Sequence, residues 1–269
     1  MDYLQRLSKP YKWIMYLLVG VPIIIMILLS FTSTLGVDFS GAEFSLDNLG
    51  RLNEPVYTQA IKNSLTLSSI ATIICFLIGY PIAFMITKIR DKYKWLILVM
   101  VISPMWSNML LRIIAWEQLF KPNSLLNTIG ISLDLLGTRS AIIIGMVSIY
   151  LPFMIFPIFT VLDKMDKSLI EASVDLGATK TQVFTKIIFP LSISGVASGV
   201  MMTFLPSATA FALPERLGGG RILLIGNVIE NLFKRVYNYN LGSLLSIVII
   251  LIIFGAMRII NRQEGGLII

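Results

Sequence analysis

Six stretches of this sequence, about 12–34, 61–87, 95–120, 139–162, 188–212 and 241–260, are each long and apolar enough to cross the hydrocarbon core of a bilayer, which takes roughly 20 helical residues. Few folds survive that constraint. In lipid there is no water to satisfy backbone N–H and C=O groups, so each crossing segment must hydrogen-bond within itself. The expected fold class is an all-α membrane protein with six transmembrane helices. Charged residues make up only 14% of the 269 and hydrophobic ones 56%, which leaves too little polar surface to cover a soluble core.

Charge placement predicts topology. Arg6, Lys9 and Lys12 lie at the start of the first stretch, and Lys88, Arg90, Lys92 and Lys94 crowd the short loop between the second and third; both regions are expected on the cytoplasmic side. Segment 35–60 carries Asp38, Glu43, Asp47 and Glu54 against Arg51, which suits the outer face. Alternation then places segment 163–187, and the C-terminus with Arg258 and Arg262, inside. Segment 213–240 falls outside despite Arg216, Arg221, Lys234 and Arg235, because charges late in the chain orient it less strongly than those in short early loops. Within it Ile222, Ile225, Ile229, Leu232 and Val236 recur at helical spacing over a run too short to span, which predicts a helix lying along the outer surface. The first apolar run exceeds a secretory core and lacks a small-residue cleavage pattern, so an uncleaved anchor is expected.

Several chemistries are excluded. With no histidine and one cysteine, imidazole catalysis, disulfides and CxxC redox chemistry have no residues to work with, and Cys75 reads as packing in an apolar run. The formal charge of +7 is dispersed among the spans and does not form one soluble basic face, so it gives no reason to expect a nucleic-acid partner. No GxxxxGK[ST] loop occurs, and Gly218-Gly219-Gly220-Arg221 lacks the lysine and hydroxyl that would hold phosphate and magnesium. Any ATP hydrolysis must therefore come from another chain. No nucleophile with a base, and no cluster of metal ligands, is visible, so no catalytic residue, cofactor or metal is assigned.

Segment 163–187 is a polar island with its own local code. Ser168 and Glu171 fit a capping box that starts a helix near Leu169, and Gly177 supplies the left-handed residue that ends it. Thr179 with Gln182 forms a second box, and Val183, Phe184, Ile187 and Ile188 carry a second helix to Pro190. The spacing predicts a helix, a hinge and a helix.

Three spans hold informative interruptions. In the second, Gly79 and Pro81 predict a kink or a close packing point. In the fifth, Gly195 and Gly199, flanked by Ser192, Ser194 and Ser198, form a small-residue face for a neighbouring helix, and Pro206 is expected to interrupt the span. In the third, Asn108, Arg112 and Trp116 share a stripe at a spacing of four, with Glu117 about a quarter turn away. Charges inside a span face a cavity or a partner; alternatively, near the outer end, an arginine snorkels and a tryptophan joins the interfacial belt.

Glu171, Ala172, Ser173, Asp175, Leu176, Gly177, Ala178 and Pro190 together resemble the cytoplasmic loop signature of ABC-transporter permease subunits, with Ser173 replacing the usual second alanine. The resemblance extends through Asn63-Ser64-Leu65, Gly79-Tyr80-Pro81-Ile82-Ala83, Pro104-Met105-Trp106, Asn108 to Arg112, Ala115-Trp116, Leu217 to Gly220 and Ile225 to Ile229, and is greatest to the B-type permeases of spermidine/putrescine importers. It implies a type I importer permease whose loop 163–187 forms coupling helices, with Glu171, Ala172, Asp175, Leu176, Gly177 and Ala178 meeting an ATPase subunit. It further implies a second homologous permease, an ATPase dimer, an extracellular polyamine-binding protein and a bacterial inner-membrane location; helix 222–236 is then either part of the landing site for that binding protein or a helix that merely covers the ends of the spans. On the same resemblance the fifth span lines the substrate route, with Pro206, Thr209 and Phe211 in its irregular part; the cost of charge within a span adds Asn108, Arg112, Trp116 and Glu117 as candidates, and Trp106 as a cation–π face for a polyamine. The sequence departs from many relatives at Ala210, where they carry an acidic residue. Permeases for opines, sulfate or ferric iron share much of this frame. A self-sufficient secondary transporter or channel would instead predict intramembrane carboxylates and an inverted repeat; Glu117 is the one carboxylate found, and no repeat is evident.

Overall fold

A computed structural model describes residues 2–33, 43–122 and 135–265, with side chains over 11–33, 43–122 and 135–258. Asp38 and residue 34 of the first expected span lie outside the described residues, and for Arg6, Lys9 and Arg262 only the backbone is described. The helices are α1 (Asp2–Ser30), α2 (Asp47–Arg51), α3 (Pro55–Thr87), α4 (Asp91–Ile102), α5 (Met109–Leu119), α6 (Arg139–Asp163), α7 (Lys167–Asp175), α8 (Lys180–Val183), α9 (Phe189–Ala208), α10 (Ala212–Leu217), α11 (Ile225–Asn231) and α12 (Tyr239–Gly265). Among the described residues, five helical runs are long and apolar enough to span a membrane, and α4 with α5 makes a sixth if the bent pair is one span. The only extended pairing among the described residues is an isolated bridge between Thr32 and Phe44.

The chain divides into two compact units, Met1–Gln59 with Val228–Ile252, and Ala60–Asn227 with Ile253–Ile269. In the first, Asn240 ties the start of α12 to the end of α1, donating through Nδ2 to the Thr32 carbonyl at 2.6 Å and to Thr32 Oγ1 at 2.7 Å. The π-helical turn Leu232–Val236 that extends α11 ends at Tyr237, a left-handed residue with φ 56°. Phe233 then packs where a Cβ on Gly242 would otherwise stand, 3.1 Å from its ring.

The second unit is built around α6. Its buried residues, among them Ile142, Met146, Ile149, Met154, Ile155 and Ile158, face several directions, as a helix enclosed by others requires. Lipid tails are as apolar as these side chains, so association rests on close packing and hydrogen bonds more than on water exclusion. Close packing is achieved with glycine. A Cβ on Gly195 would stand 3.0 Å from the Pro157 carbonyl oxygen, and one on Gly199 would stand 3.1 Å from that of Met154. The small-residue face of the fifth span therefore meets another helix of this chain. Gly79 does the same for α3, its missing Cβ lying 3.1 Å from Met154 Cγ. Tyr80 and Ser192 share a buried hydrogen bond of 2.9 Å that links α3 to α9.

Two prolines act differently from expectation. Pro190 does not end the second loop helix: Lys180–Ala208 is one continuous helical run, widened to a π-helical turn at Phe184–Ile188. In that turn the Phe189 N–H reaches back to the Phe184 carbonyl, a longer step that leaves room for the proline ring and its absent N–H. Pro206 likewise lies inside α9, and the helix breaks only after Ala208.

Candidate functional site

The polar island folds as a capped helix pair, with one correction. The first cap is Asp166, whose Oδ1 accepts from the Ser168 N–H at 2.9 Å, so α7 begins at Lys167 and Ser168 lies in its first turn. The expected box of Ser168 with Glu171 is not formed. An aspartate two positions earlier offers a charged acceptor to the positive end of the helix and outcompetes a neutral hydroxyl. Hydrogen bonds from Ser168, the backbone one foremost, hold the Asp166 carboxyl below its usual range. The sign follows: the cap is at full strength above the unfolded carboxylate pKa of about 4 and weakens as pH falls through the lower folded value. Asp166→Ala is therefore expected to lower hydrogen-exchange protection in the first turn of α7 at neutral pH, while Ser168→Ala leaves it unchanged. Lower protection in Ser168→Ala with Asp166→Ala unchanged would return the cap to Ser168.

The end of α7 follows the sequence closely. Gly177 has φ +81°, and its N–H bonds to the Val174 carbonyl at 2.9 Å while that of Ala178 bonds to Ser173 at 3.0 Å, a Schellman closure. Thr179 and Gln182 exchange the two bonds of the second capping box, at 2.8 and 3.3 Å. Between these closures the tip presents Glu171, Ala172, Val174, Asp175 and Leu176 to solvent, with Leu176 89% exposed, and Ala178 half-buried beneath. Leu176 thus stands exposed on a helix end that two capping motifs fix.

The third span is not straight. After Ile102 a 3-10 turn over Ser103–Trp106 leads to a break, and α5 departs at 87°. Asn108 is therefore the N-cap of α5, its Oδ1 accepting from the Leu110 N–H at 2.8 Å, and it does not share a helical stripe with Arg112 and Trp116. Pro104 opens the 3-10 turn, and the guanidinium of Arg112 reaches back across the break. Its Nη1 donates to the Pro104 carbonyl at 3.2 Å, and its Nη2 donates to the Ser148 carbonyl of α6. Arg112 thus satisfies carbonyls around a bend instead of snorkelling. Arg112→Met, which keeps the length and removes the donors, is expected to cost about 2 kcal/mol, the range of hydrogen bonds to charged groups. An unaltered melting temperature in detergent would show that the bend stands without this brace.

Trp116 packs over Phe120, with ring centroids 5.3 Å apart, against the apolar cluster around Ile142 and Met146. Glu117 is only 16% exposed and lies between two cations: Lys121 Nζ is 3.2 Å from Oε1, and Arg216 Nη1 of α10 is 3.5 Å from Oε2. The second contact is close enough for attraction but lacks hydrogen-bond geometry. Trp106 projects outward, 77% exposed.

Beyond α9 the chain makes a short non-helical crossing through Thr209, Ala210 and Phe211 before α10. Tyr150 Oη donates to the Pro206 carbonyl at 3.2 Å, and the Thr209 hydroxyl donates to Leu205 at 3.1 Å. Phe211 is 46% exposed, while its carbonyl accepts from Asn227 Nδ2 at 2.6 Å. Gly226 lies so close that a Cβ there would touch the carbonyl oxygens of Thr209 and Ala210. The Ile225 N–H in turn donates to the buried Ser64 hydroxyl at 2.8 Å, and Asn63 Nδ2 donates to Leu223 at 3.2 Å. Ser64, Gly226 and Asn227 are positioning residues that the sequence marked only as part of the permease resemblance, with no role attached. Through the Glu117–Arg216 contact, α5 joins α10, so the second arm of the bent pair and the helix that follows the Thr209–Phe211 turn are tied together.

The profile of the binding-protein-dependent transport system inner membrane component matches residues 1–264. The spermidine/putrescine transport system permease protein PotB of Haemophilus influenzae is 36% identical over 94% of this chain and 93% of its own length. Its namesake in Escherichia coli is 35% identical over 92% and 95%. Among solved structures, a bacterial ABC transporter involved in import of the acidic polysaccharide alginate superposes with a TM-score of 0.77 at 18% identity, covering 98% of this chain and 96% of that one. A MetNI methionine transporter gives 0.62 at 15% identity, covering 80% and 99%. The fold is that of a type I ABC importer permease, and a match over nearly the entire chain makes this protein a multi-pass member of the family of binding-protein-dependent transport system inner membrane components.

Proposed function

We propose that this chain is the permease subunit of an ATP-driven importer of spermidine and putrescine. It pairs with a second, homologous permease, rests on two copies of an ATPase, and takes substrate from an extracellular binding protein, with both its termini in the cytoplasm. The observation that carries the substrate is identity of 35–36% along nearly the whole length of relatives named for spermidine/putrescine transport. ATPase docking is supported by the loop tip, where Leu176 and Val174 stand exposed between Glu171 and Asp175 on a hinge fixed from both sides. ATP binding draws the ATPase dimer together, the tip moves with it, and α9, which continues unbroken from the loop into the membrane, carries the displacement to the Thr209–Phe211 crossing.

A polyamine passing this subunit loses water from its ammonium groups, and Glu117 is the carboxylate placed to replace it, with Trp116 and Phe211 as cation–π faces. In the resting arrangement Lys121 and Arg216 occupy that carboxylate, so a substrate ammonium exchanges with them. The complex with its ATPase, second permease and binding protein, in vesicles, is expected to take up labelled spermidine only with ATP. Glu117→Gln is expected to lower uptake about tenfold, equivalent to about 1.4 kcal/mol, with ATPase association intact. Uptake by the purified chain alone would overturn the importer reading; full uptake by the Glu117→Gln complex would move the counter-ion to the partner permease.

A further inference from the structure

Where α3 ends, α4 begins and α7 passes beside them, the chain leaves a cavity of about 440 Å³ that is separate from the route and shares Glu171 with the loop tip. Its walls carry Lys88, Arg90, Lys94 and Lys167 against two carboxylates, Asp91 and Glu171. Lys94 is already neutralised, with Asp91 and Asp163 each 2.8 Å from its Nζ. Lys88, Arg90 and Lys167 have no acidic partner within ion-pair distance among the described residues, which leaves the cavity with uncompensated positive charge. A narrow slot adjoins it, apolar along Phe84, Leu162, Met165, Ile170 and Ile188 and polar at its rim, where Thr87, Lys88 and Lys167 are shared with the charged part and Asp163 is held by Lys94. A cationic chamber opening onto an apolar slot at the ends of membrane-spanning helices matches an amphiphile with an anionic head.

We propose that this cavity binds the phosphodiester headgroup of an anionic phospholipid, with the start of an acyl chain in the slot. Lys88 and Arg90 come from the α3–α4 connection and Lys167 from α7, so a phosphate held among them cross-links the membrane end of α3 to the helix that carries the loop tip. A zwitterionic headgroup brings its own ammonium into the same chamber and is disfavoured there by Lys88 and Lys167. The slot distinguishes lipid from free phosphate, because only the lipid fills both halves.

Native mass spectrometry of the full chain, released from micelles containing equal dioleoyl phosphatidylglycerol and dioleoyl phosphatidylethanolamine, tests this without any transport reaction. Phosphatidylglycerol is expected to be retained about tenfold over phosphatidylethanolamine. The preference is expected to vanish in Lys88→Gln/Lys167→Gln and to persist in Lys88→Arg/Lys167→Arg, with size-exclusion profiles establishing that each variant is folded. Glycerol 1-phosphate at millimolar concentration is expected to leave the bound lipid in place. Equal retention of the two lipids, undiminished retention in the glutamine variant, or displacement by glycerol phosphate would each overturn the lipid assignment. If the glutamine variant fails to fold, the lipid preference of the native chain and the glycerol phosphate competition decide.

Discussion

Gly177→Val is expected to reduce substrate-stimulated ATP hydrolysis of the assembled transporter to its unstimulated level while membrane abundance stays normal. Space is not the obstacle, since a Cβ at Gly177 meets nothing within 4 Å. The obstacle is the backbone at φ +81°, where L-residues lose roughly 1–2 kcal/mol and a β-branched side chain loses more. Valine would move the residue out of the left-handed region. The Gly177 and Ala178 closures onto Val174 and Ser173 would open, and the exposed tip would no longer be held at a fixed angle to the helix that runs into the membrane. Gly177→Asn is the informative companion, because asparagine tolerates that region; it is expected to keep most of the stimulation. Normal stimulation in the valine variant would mean that the tip is not held by this hinge.

Gly226→Ala is expected to be the most damaging methyl addition in the chain. The new Cβ would lie against the Thr209 carbonyl and 2.7 Å from the Ala210 oxygen, and backbone oxygens in a pinned turn cannot rotate aside as a side-chain end can. Either α11 lifts away, straining the Ser64 and Asn227 hydrogen bonds, or the Thr209–Phe211 crossing shifts. Overpacking of this kind costs about 1–3 kcal/mol. Thermal unfolding in detergent, followed by loss of the monodisperse peak, should fall by several degrees relative to Gly20→Ala, whose Cβ meets nothing within 4 Å. Matching melting temperatures for the two variants would show that the crossing is not rigid.

Much of the loop was legible because its code is local. A capping box needs only residues three apart, and Thr179 with Gln182 forms one as the spacing predicts; the left-handed Gly177 is equally a property of its own backbone. Where two local signals compete, spacing alone does not rank them, and so Asp166 displaced Ser168 as the cap. The bend after Ile102 was harder to see. Pro104 and Asn108 were in plain view, but inside an apolar run they are compatible with a straight helix, and the break stands because Arg112 can reach both Pro104 and a carbonyl of α6. The prolines misled in the opposite sense. Pro190 is expected to end the second loop helix and does not, because a π-helical turn absorbs it, and Pro206 is expected to interrupt the fifth span, which breaks two residues later, after Ala208.

By itself, then, the sequence determined that the chain is helical and membrane-bound, that its polar loop is a hinged helix pair, and that glycines at 195 and 199 face a neighbouring helix. Each of these depends on residue type and spacing along one segment: hydropathy, caps, and the absence of a Cβ. The tertiary structure decided which polar groups inside the membrane are satisfied and by what. Arg112 and Glu117 sit five positions apart in similar surroundings, yet one became a clamp on backbone carbonyls and the other a carboxylate held between Lys121 and Arg216. Buried charges and freed carbonyls must find partners within hydrogen-bond or ion-pair reach, and one partner of each, Ser148 for Arg112 and Arg216 for Glu117, lies on a helix distant in sequence, so only the packing of α5, α6 and α10 could assign it.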